Sequence, residues 1–433
     1  MSVSTRRRRF AAVVLASVAV FSATTACGDD NEGGGDTGAK PDKLVVSTFG
    51  EAGYEDLVKQ YEQQSGIKIE LRKVAQLNEF RPGLVRSLAT GKGAADVVML
   101  EEGILNEFKL NPTNWVDLAP LVGGDLSKDY LSWKYELGKA PDGRLMGLPT
   151  DVGSLGICYR TDLFKAAGLP VEREAVSALW PTWEKFIETG KTYKTKTGKG
   201  FVDSATMAVN AVMFQQKGAD LFYDKENNMI ADKSPAVKAA WDQAVALSDA
   251  GITAKITTWS PEWNAGFKQG TFAATACPSW MLGIVETNSG PENAGKWDLA
   301  AVPGGAGNWG GSWLGVPEQS KYHAEAAKLA AFLTNTAGQV AAFKKSGPLP
   351  TNLKALEDPA FTSFTNKYFS DAPTGKIFGE SVQAIVPTYL GPKHQAVKEN
   401  ALEPALRAYE TGQASLQEAW EQFTKDAATQ GSF

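Results

Sequence analysis

Indoles and carboxylates are the residues of this chain with the most chemistry to offer. Twelve tryptophans stand among its 433 residues, more than a core of this size requires. An indole in a cleft offers a flat apolar face that stacks on the C–H face of a pyranose ring. Aromatic contacts of that kind are worth about 0.5–1.5 kcal/mol beyond the area they bury. The same faces framed by carboxylates also suit an organic cation such as a polyamine. Trp309 and Trp313 flank a Gly-Gly pair, and Trp259 and Trp263 share TTWSPEWNAGF, a loop that leads into a helix. Trp183 in PTWEKF and Trp241 at core spacing on a helix read as structural. Carboxylates and amides at strand ends supply the fixed acceptors and donors that hydroxyl groups need. Glu51 in FGEAGY, Glu101, Glu102 and Asp151 are the acidic candidates; Gln76, Asn78, Asn210 and Gln215 are the amides.

Other chemistries lack their residues. His323 and His394 are the only histidines, which excludes a His-rich zinc site; both are expected at the surface. No G-x-S-x-G elbow accompanies them, so a Ser-His-Asp triad has no support. GGAG and GKG are not followed by Lys-Ser/Thr, so there is no P-loop. No metal and no other cofactor is expected. Paired carboxylates with aromatics also describe a glycoside hydrolase site, the alternative from a different class.

The elements that must hold these groups begin with alternating strands and helices. LVVST (44–48) reads as a buried strand. Tyr54, Leu57, Val58 and Tyr61 then share one helix face. IKIEL follows as a strand, then a helix over 77–89 that Pro82-Gly83 weakens, then a third strand over 96–100. That order implies parallel strands with helices on both faces. Ligands then belong at the carboxyl ends of the strands, where Phe49, Glu51, Glu101 and Glu102 stand. A second block carries strands near 155–159, 271–276 and 298–303, and helices over 183–191 and 235–250. HAEAAKLAAFLT reads as helix, and the tail as helices over 395–410 and 416–427. The last of these opens on a capping box, Ser415 to Glu418.

The start of the chain is of another kind. Arg6 to Arg9 precede the apolar FAAVVLASVAVF, then SATTA and Cys27. A basic start, a short apolar run and small residues make a secretory signal over 1–26. The apolar run is too short to span a bilayer. TTAC resembles a bacterial lipobox, although Thr24 stands where leucine is usual; Cys27 is then the acylated residue. The RRRF start also resembles a twin-arginine signal, so the export route stays open. Residues 27–42, rich in Gly and Asp, form the anchor and a flexible linker. Without 1–26 the formal charge moves from −5 to −9, which does not suit nucleic-acid binding. Cys158 and Cys277 remain, able to pack as thiols or to pair in an oxidising compartment; pairing is expected. The folded part, from about residue 43 onward, is too long for one core and suggests two.

In order along the chain, YEDLVKQYEQQSGIKIEL, GKGAADVVML, LPTDVGSLGICYRTDLFKAAGLP, GTFAATACPSWMLG and EPALRAYETGQASLQEAWEQF resemble the bacterial extracellular solute-binding proteins of the maltose-binding type. The resemblance covers essentially the whole mature chain. It implies an α/β, two-lobed periplasmic-binding-protein-like fold with a hinge and an interlobe cleft. Lobe 1 would take 43–149 with about 304–336, and lobe 2 would take 150–303 with about 337–433. Crossings are expected near 147–151, near 303–312 and beyond 333. Trp280 matches the family's stacking tryptophan, Glu51 its first contact loop, and Tyr389 in VPTYLGPKH a C-terminal aromatic. The implied ligand set is Trp280, Glu51, Glu101, Glu102, Asp151, Trp309, Trp313, Tyr389, Phe49, Trp259 and Trp263. The implied function is capture of a di- or oligosaccharide, with cellobiose or a cello-oligosaccharide as best match. It implies no catalysis. The partners would be ABC permease subunits with a cytoplasmic ATPase, and the membrane through the lipid anchor. No nucleic acid is expected, and the chain should be a monomer outside the cell membrane.

Overall fold

The computed structural model describes residue 38 and residues 40–432. The basic start, the apolar run and Cys27 lie outside the described residues. Among the described residues ten strands follow one another: β1 (Lys43–Phe49), β2 (Lys68–Val74), β3 (Val97–Glu101), β4 (Leu148–Pro149), β5 (Asp151–Val152), β6 (Ile157–Arg160), β7 (Ala274–Ala276), β8 (Trp297–Ala300), β9 (Ser312–Gly315) and β10 (Leu349–Pro350).

β1 pairs in parallel with β2 and with β3. The first crossover is the helix Glu55–Ser65, which buries Leu57, Val58 and Tyr61 and stops at Gly66 in the left-handed region. The second crossover, Leu77–Thr90, runs unbroken through Pro82. Proline removes a single donor there, and burial of Phe80 and Leu84 holds the helix on the sheet. The sheet is mixed, unlike the parallel one expected. Its order is β2-β1-β3-β9-β4, and β9 runs antiparallel to both β3 and β4. Returning segments from later in the chain fill the edge that the β-α-β run leaves open, a pairing that local periodicity does not signal.

A separate three-stranded sheet, β7-β6-β8, is antiparallel throughout. Its strands are shorter than their apolar runs, since fully buried residues beyond the ladder are apolar too. Tyr159 of β6 packs on Phe164, and Trp180, Phe186 and Phe201 join the same core. The first sheet has its own core of Leu44, Val46, Val97, Leu148 and Leu314, covered by Leu329 and Leu333 of the helix His323–Thr334. Trp241 is buried on the helix Pro235–Asp249 and stacks on Phe423. Trp183 is buried at the start of Trp183–Thr197, which runs beyond the 191 that its pattern suggested.

Cys158 and Cys277 form a disulfide that closes a separation of 119 residues, with Cα atoms 5.4 Å apart. Cross-linking so long a loop removes entropy from the unfolded chain. The double variant Cys158→Ala, Cys277→Ala should therefore lose about 2–4 kcal/mol of unfolding free energy in urea. An unshifted midpoint would show that the bond adds nothing.

The tail departs most from expectation. One helix over 395–410 is instead an α turn His394–Val397, a π turn Lys398–Leu402 and an α-helix Glu403–Glu410. Leu416–Gln430 closes the fold, opened by the Ser415–Glu418 capping box. His394, expected at the surface, is fully buried, its ring stacked on Phe222 at 4.8 Å. Burial holds its imidazole well below the usual range. Among the described residues no helix is long and apolar enough to cross a membrane.

Candidate functional site

A cavity of about 690 Å³ opens between the carboxyl ends of the first sheet and the aromatic edge of the second core. β1 ends in Phe49, and Gly50, Glu51 and Ala52 continue along the wall. β3 ends in Glu101, and Asp151 arrives where β4 gives way to β5. Trp309 to Ser312 lead into β9 and form a third side. Trp259 and Trp280 complete the set. Seven of the expected residues thus share one cavity: Phe49, Glu51, Glu101, Asp151, Trp259, Trp280 and Trp309.

The indoles form a corner. Trp280 and Trp309 lie 5.8 Å apart with their planes at 85°, and Trp280 Nε1 donates to the Trp309 carbonyl at 2.7 Å. Trp259 stacks on Trp280 at 6.2 Å and 29°. Its own backbone is left-handed, with φ of +67°, which costs a bulky side chain on the order of 1–3 kcal/mol. Gln76 Nε2 donates to the Trp259 carbonyl at 2.9 Å and pins that conformation. Gln76 and Asn78 both line the cavity. Two glycines let the corner close. A Cβ on Gly153 would stand 1.8 Å from the Trp309 carbonyl oxygen. A Cβ on Gly310, at φ +83°, would stand 3.3 Å from Glu101 Oε1 and 3.5 Å from Trp280 Nε1. The carboxylate and the indole therefore face the same small volume.

Each acid is anchored on one side. Glu101 Oε2 accepts the Gly103 N–H at 2.6 Å. Burial pushes its carboxyl up to about 7, with Glu102 adding to the rise while Lys398 opposes it. Asp151 Oδ1 accepts from Thr150 Oγ1 at 2.6 Å and from the Ser312 N–H at 2.9 Å; burial raises its carboxyl as well. Glu51 pairs with Lys73 at 2.5 Å.

A folded-state carboxyl raised to about 7 binds a proton that the unfolded chain has released. Stability from this group is therefore present at low pH and lost as pH rises through about 7. Glu101→Gln should gain on the wild type by on the order of 1–3 kcal/mol between pH 4.5 and 8. Urea midpoints across that range read it directly, and parallel curves would refute it.

Four expected residues do not reach the cavity. Trp263 is fully buried behind Trp259, its Nε1 donating to Asp203 Oδ2 at 2.6 Å. Glu102 accepts from Lys134 Nζ at 3.0 Å and from Asn308 Nδ2 at 2.8 Å. Trp313 is fully buried, donates to the Lys134 carbonyl and carries Lys134 Nζ 3.7 Å over its ring. Tyr389 donates to Asn227 Oδ1 at 2.7 Å. With Glu102 and Trp313 it borders a separate hollow of about 20 Å³, too small for a sugar ring. Asn210 bonds to Glu403, and Gln215 to Pro303 and Gly305. Tertiary partners distant in sequence claim these polar groups, so strand-end position alone overstates their availability.

Other lining residues carried no expectation: Tyr54, Arg81, Lys398, Glu399, Asn400 and Glu403. Arg81 is held by Glu107 through two bonds at 2.6 and 2.7 Å. The charged run at 398–403 looks like a solvated helix face in sequence, and no local signal marks the turn that aims it inward. No cluster among the described residues could hold a metal ion.

Residues 56–367 match the family model described as bacterial extracellular solute-binding protein. The chain is similar to a lactose-binding protein of Rhizobium radiobacter, 29% identical over 241 residues, 53% of this chain and 54% of that protein. It is 27% identical over 288 residues to an arabinooligosaccharide-binding protein of Bacillus subtilis, 64% of each chain. The chain thus aligns with between 54% and 64% of the length of these relatives. Among solved structures, one of an extracellular solute-binding protein of family 1 is 37% identical with a TM-score of 0.78, covering 90% of this chain and 100% of that one. The binding protein of B. animalis subsp. lactis Bl-04, solved with β-1,6-galactobiose, shares the fold at 20% identity, with a TM-score of 0.79 and coverage of 90% and 98%.

Proposed function

Because the chain belongs to the bacterial extracellular solute-binding proteins, we propose that it captures a neutral di- or trisaccharide and delivers it to an ABC importer. The observation that carries this reading is the right-angled indole corner facing Glu101 across Gly310, inside a cavity of about 690 Å³. That volume lies in the range of small-molecule sites. An indole face and a carboxylate oxygen turned toward one volume suit a ring that is apolar on its faces and hydroxylated at its edge.

The capture mechanism is closure of two lobes about a hinge, lobe 1 being 43–149 with about 304–336 and lobe 2 being 150–303 with about 337–433. A permease with a cytoplasmic ATPase would read the closed form. Acylation at Cys27 would tether a monomer to the outer face of the membrane. Cellobiose stays the first candidate. The names of similar proteins add lactose, arabino-oligosaccharides and β-1,6-galactobiose as ligand classes to try.

Titration calorimetry against cellobiose, lactose, β-1,6-galactobiose, maltose, arabinobiose and spermidine tests the reading. At least one sugar should bind at micromolar affinity or tighter, about −8 kcal/mol. Binding of spermidine alone would replace the sugar with a cation. Sustained release of nitrophenol from aryl glycosides would replace capture with hydrolysis.

A further inference from the structure

The C-terminal helical segment presents polar groups to the cavity beyond the indoles and the strand-end acids. Lys398, Glu399 and Glu403 line it, with Gln395 one turn earlier. Lys398 is only 9% exposed, and its Nζ makes no hydrogen bond or ion pair with any described residue. The stem is covered while the ammonium opens on the cavity, where its donors are left to water or a ligand. Gln395 Oε1 is buried without a partner, while its Nε2 donates to Glu399 Oε1 at 2.7 Å. Glu403 accepts from Asn210 Nδ2 at 3.0 Å through Oε1. Burial raises the Glu403 carboxyl, and the charge of Lys398 opposes that rise.

The π turn is what brings these groups to one wall. The Glu403 N–H bonds to the Lys398 carbonyl, five residues back. In an α-helix, side chains five apart point about 140° away from each other. A π turn, closed by an i→i+5 bond, swings them toward a common face, and such turns are frequent at functional sites. Lys398 and Glu403 thus both line the cavity, close enough for the ammonium to act on the Glu403 carboxyl, without an ion pair between them.

We propose that Lys398 and Glu403 are a donor–acceptor pair that reads two neighbouring hydroxyls of one sugar ring. This rests on the carbohydrate reading and narrows it to a neutral ring with a free vicinal diol. One hydroxyl accepts from the ammonium and the other donates to the carboxylate, so both groups gain a partner without adding net charge. A uronate would satisfy Lys398 but meet Glu101, Glu399 and Glu403. An ammonium ligand would satisfy the acids and be repelled by Lys398.

Calorimetry with cellobiose, lactose, β-1,6-galactobiose and a glucuronic-acid disaccharide tests the pair on the full chain. Lys398→Met should weaken the neutral sugar that the wild type binds by roughly thirtyfold or more, with a thermal midpoint that shows the variant folded. Lys398→Gln keeps a donor, serves where the methionine variant does not fold, and should retain more affinity. Monodeoxy analogues of the bound sugar separate contact from support. Removing the hydroxyl that Lys398 touches should weaken binding in the wild type and cost nothing further in Lys398→Met. Wild-type affinity in Lys398→Met, or an undiminished deoxy effect there, overturns the pair while leaving the carbohydrate reading intact. Preference for the glucuronic-acid disaccharide overturns the neutral-diol assignment. Failure of every sugar to bind the wild type overturns the carbohydrate reading and this assignment with it.

Discussion

Replacing Trp280 with alanine should weaken saccharide binding by roughly 10²–10³-fold while the protein stays folded. Covering one indole face removes on the order of 100 Å² of apolar surface from water, about 2.5 kcal/mol at 25 cal/mol per Å². The stacking geometry adds about 0.5–1.5 kcal/mol. The cost to stability is small because the ring stands at the cavity surface, only partly buried, at the start of the helix Met281–Ser289. What the fold loses is the bond from Nε1 to the Trp309 carbonyl, about 1 kcal/mol net for an oxygen that cavity water can then reach. Calorimetry with whichever sugar binds, beside a urea titration, reads both effects. Undiminished affinity would remove the indole corner from the site and the proposed function would lose its main support.

The second large effect concerns stability and involves residues away from the cavity. Lys134 is fully buried, paired with Glu102 at 3.0 Å and seated 3.7 Å over the Trp313 ring. Lys134→Met keeps the volume and leaves the buried Glu102 carboxylate without its counter-charge, held by Asn308 Nδ2 alone among side chains. Breaking one side of a buried pair costs about 3–5 kcal/mol, whereas replacing both sides is often close to neutral. The single variant should therefore lose most of that range in urea. Adding Glu102→Gln, which preserves an acceptor for Asn308, should restore much of it. Sugar affinity in the double variant should match the wild type, since neither side chain lines the cavity. A single variant as stable as the wild type would show that the pair is not what holds this corner. Lost sugar affinity in a folded double variant would return Glu102 to the ligand set.

These two sites separate what is local from what is not. Trp309 and Trp313 sit four residues apart around the same Gly-Gly, yet one faces the cavity and the other faces Lys134. Trp259 and Trp263 divide the same way, because Asp203, 60 residues away, takes the Trp263 N–H. Spacing marks where an indole stands and says nothing about which side will claim it. Glu101 and Glu102 are adjacent with opposite fates for a similar reason. One ends β3 and faces the cavity; the other begins the next helix and meets a lysine 32 residues on.

By itself the chain determined everything that rests on short-range periodicity and turn chemistry. The opening β-α-β-α-β run, the helix His323–Thr334, the Ser415–Glu418 cap and the strand ends carrying Phe49, Glu51 and Glu101 were legible that way. Tertiary structure decided the rest: the antiparallel strands that complete the first sheet, the facing of each indole, and the π turn that aims Lys398 and Glu403 inward. The physical reason is common to all three. A buried side chain or an open sheet edge takes whichever partner satisfies it, and those partners arrive from parts of the chain that no local pattern connects.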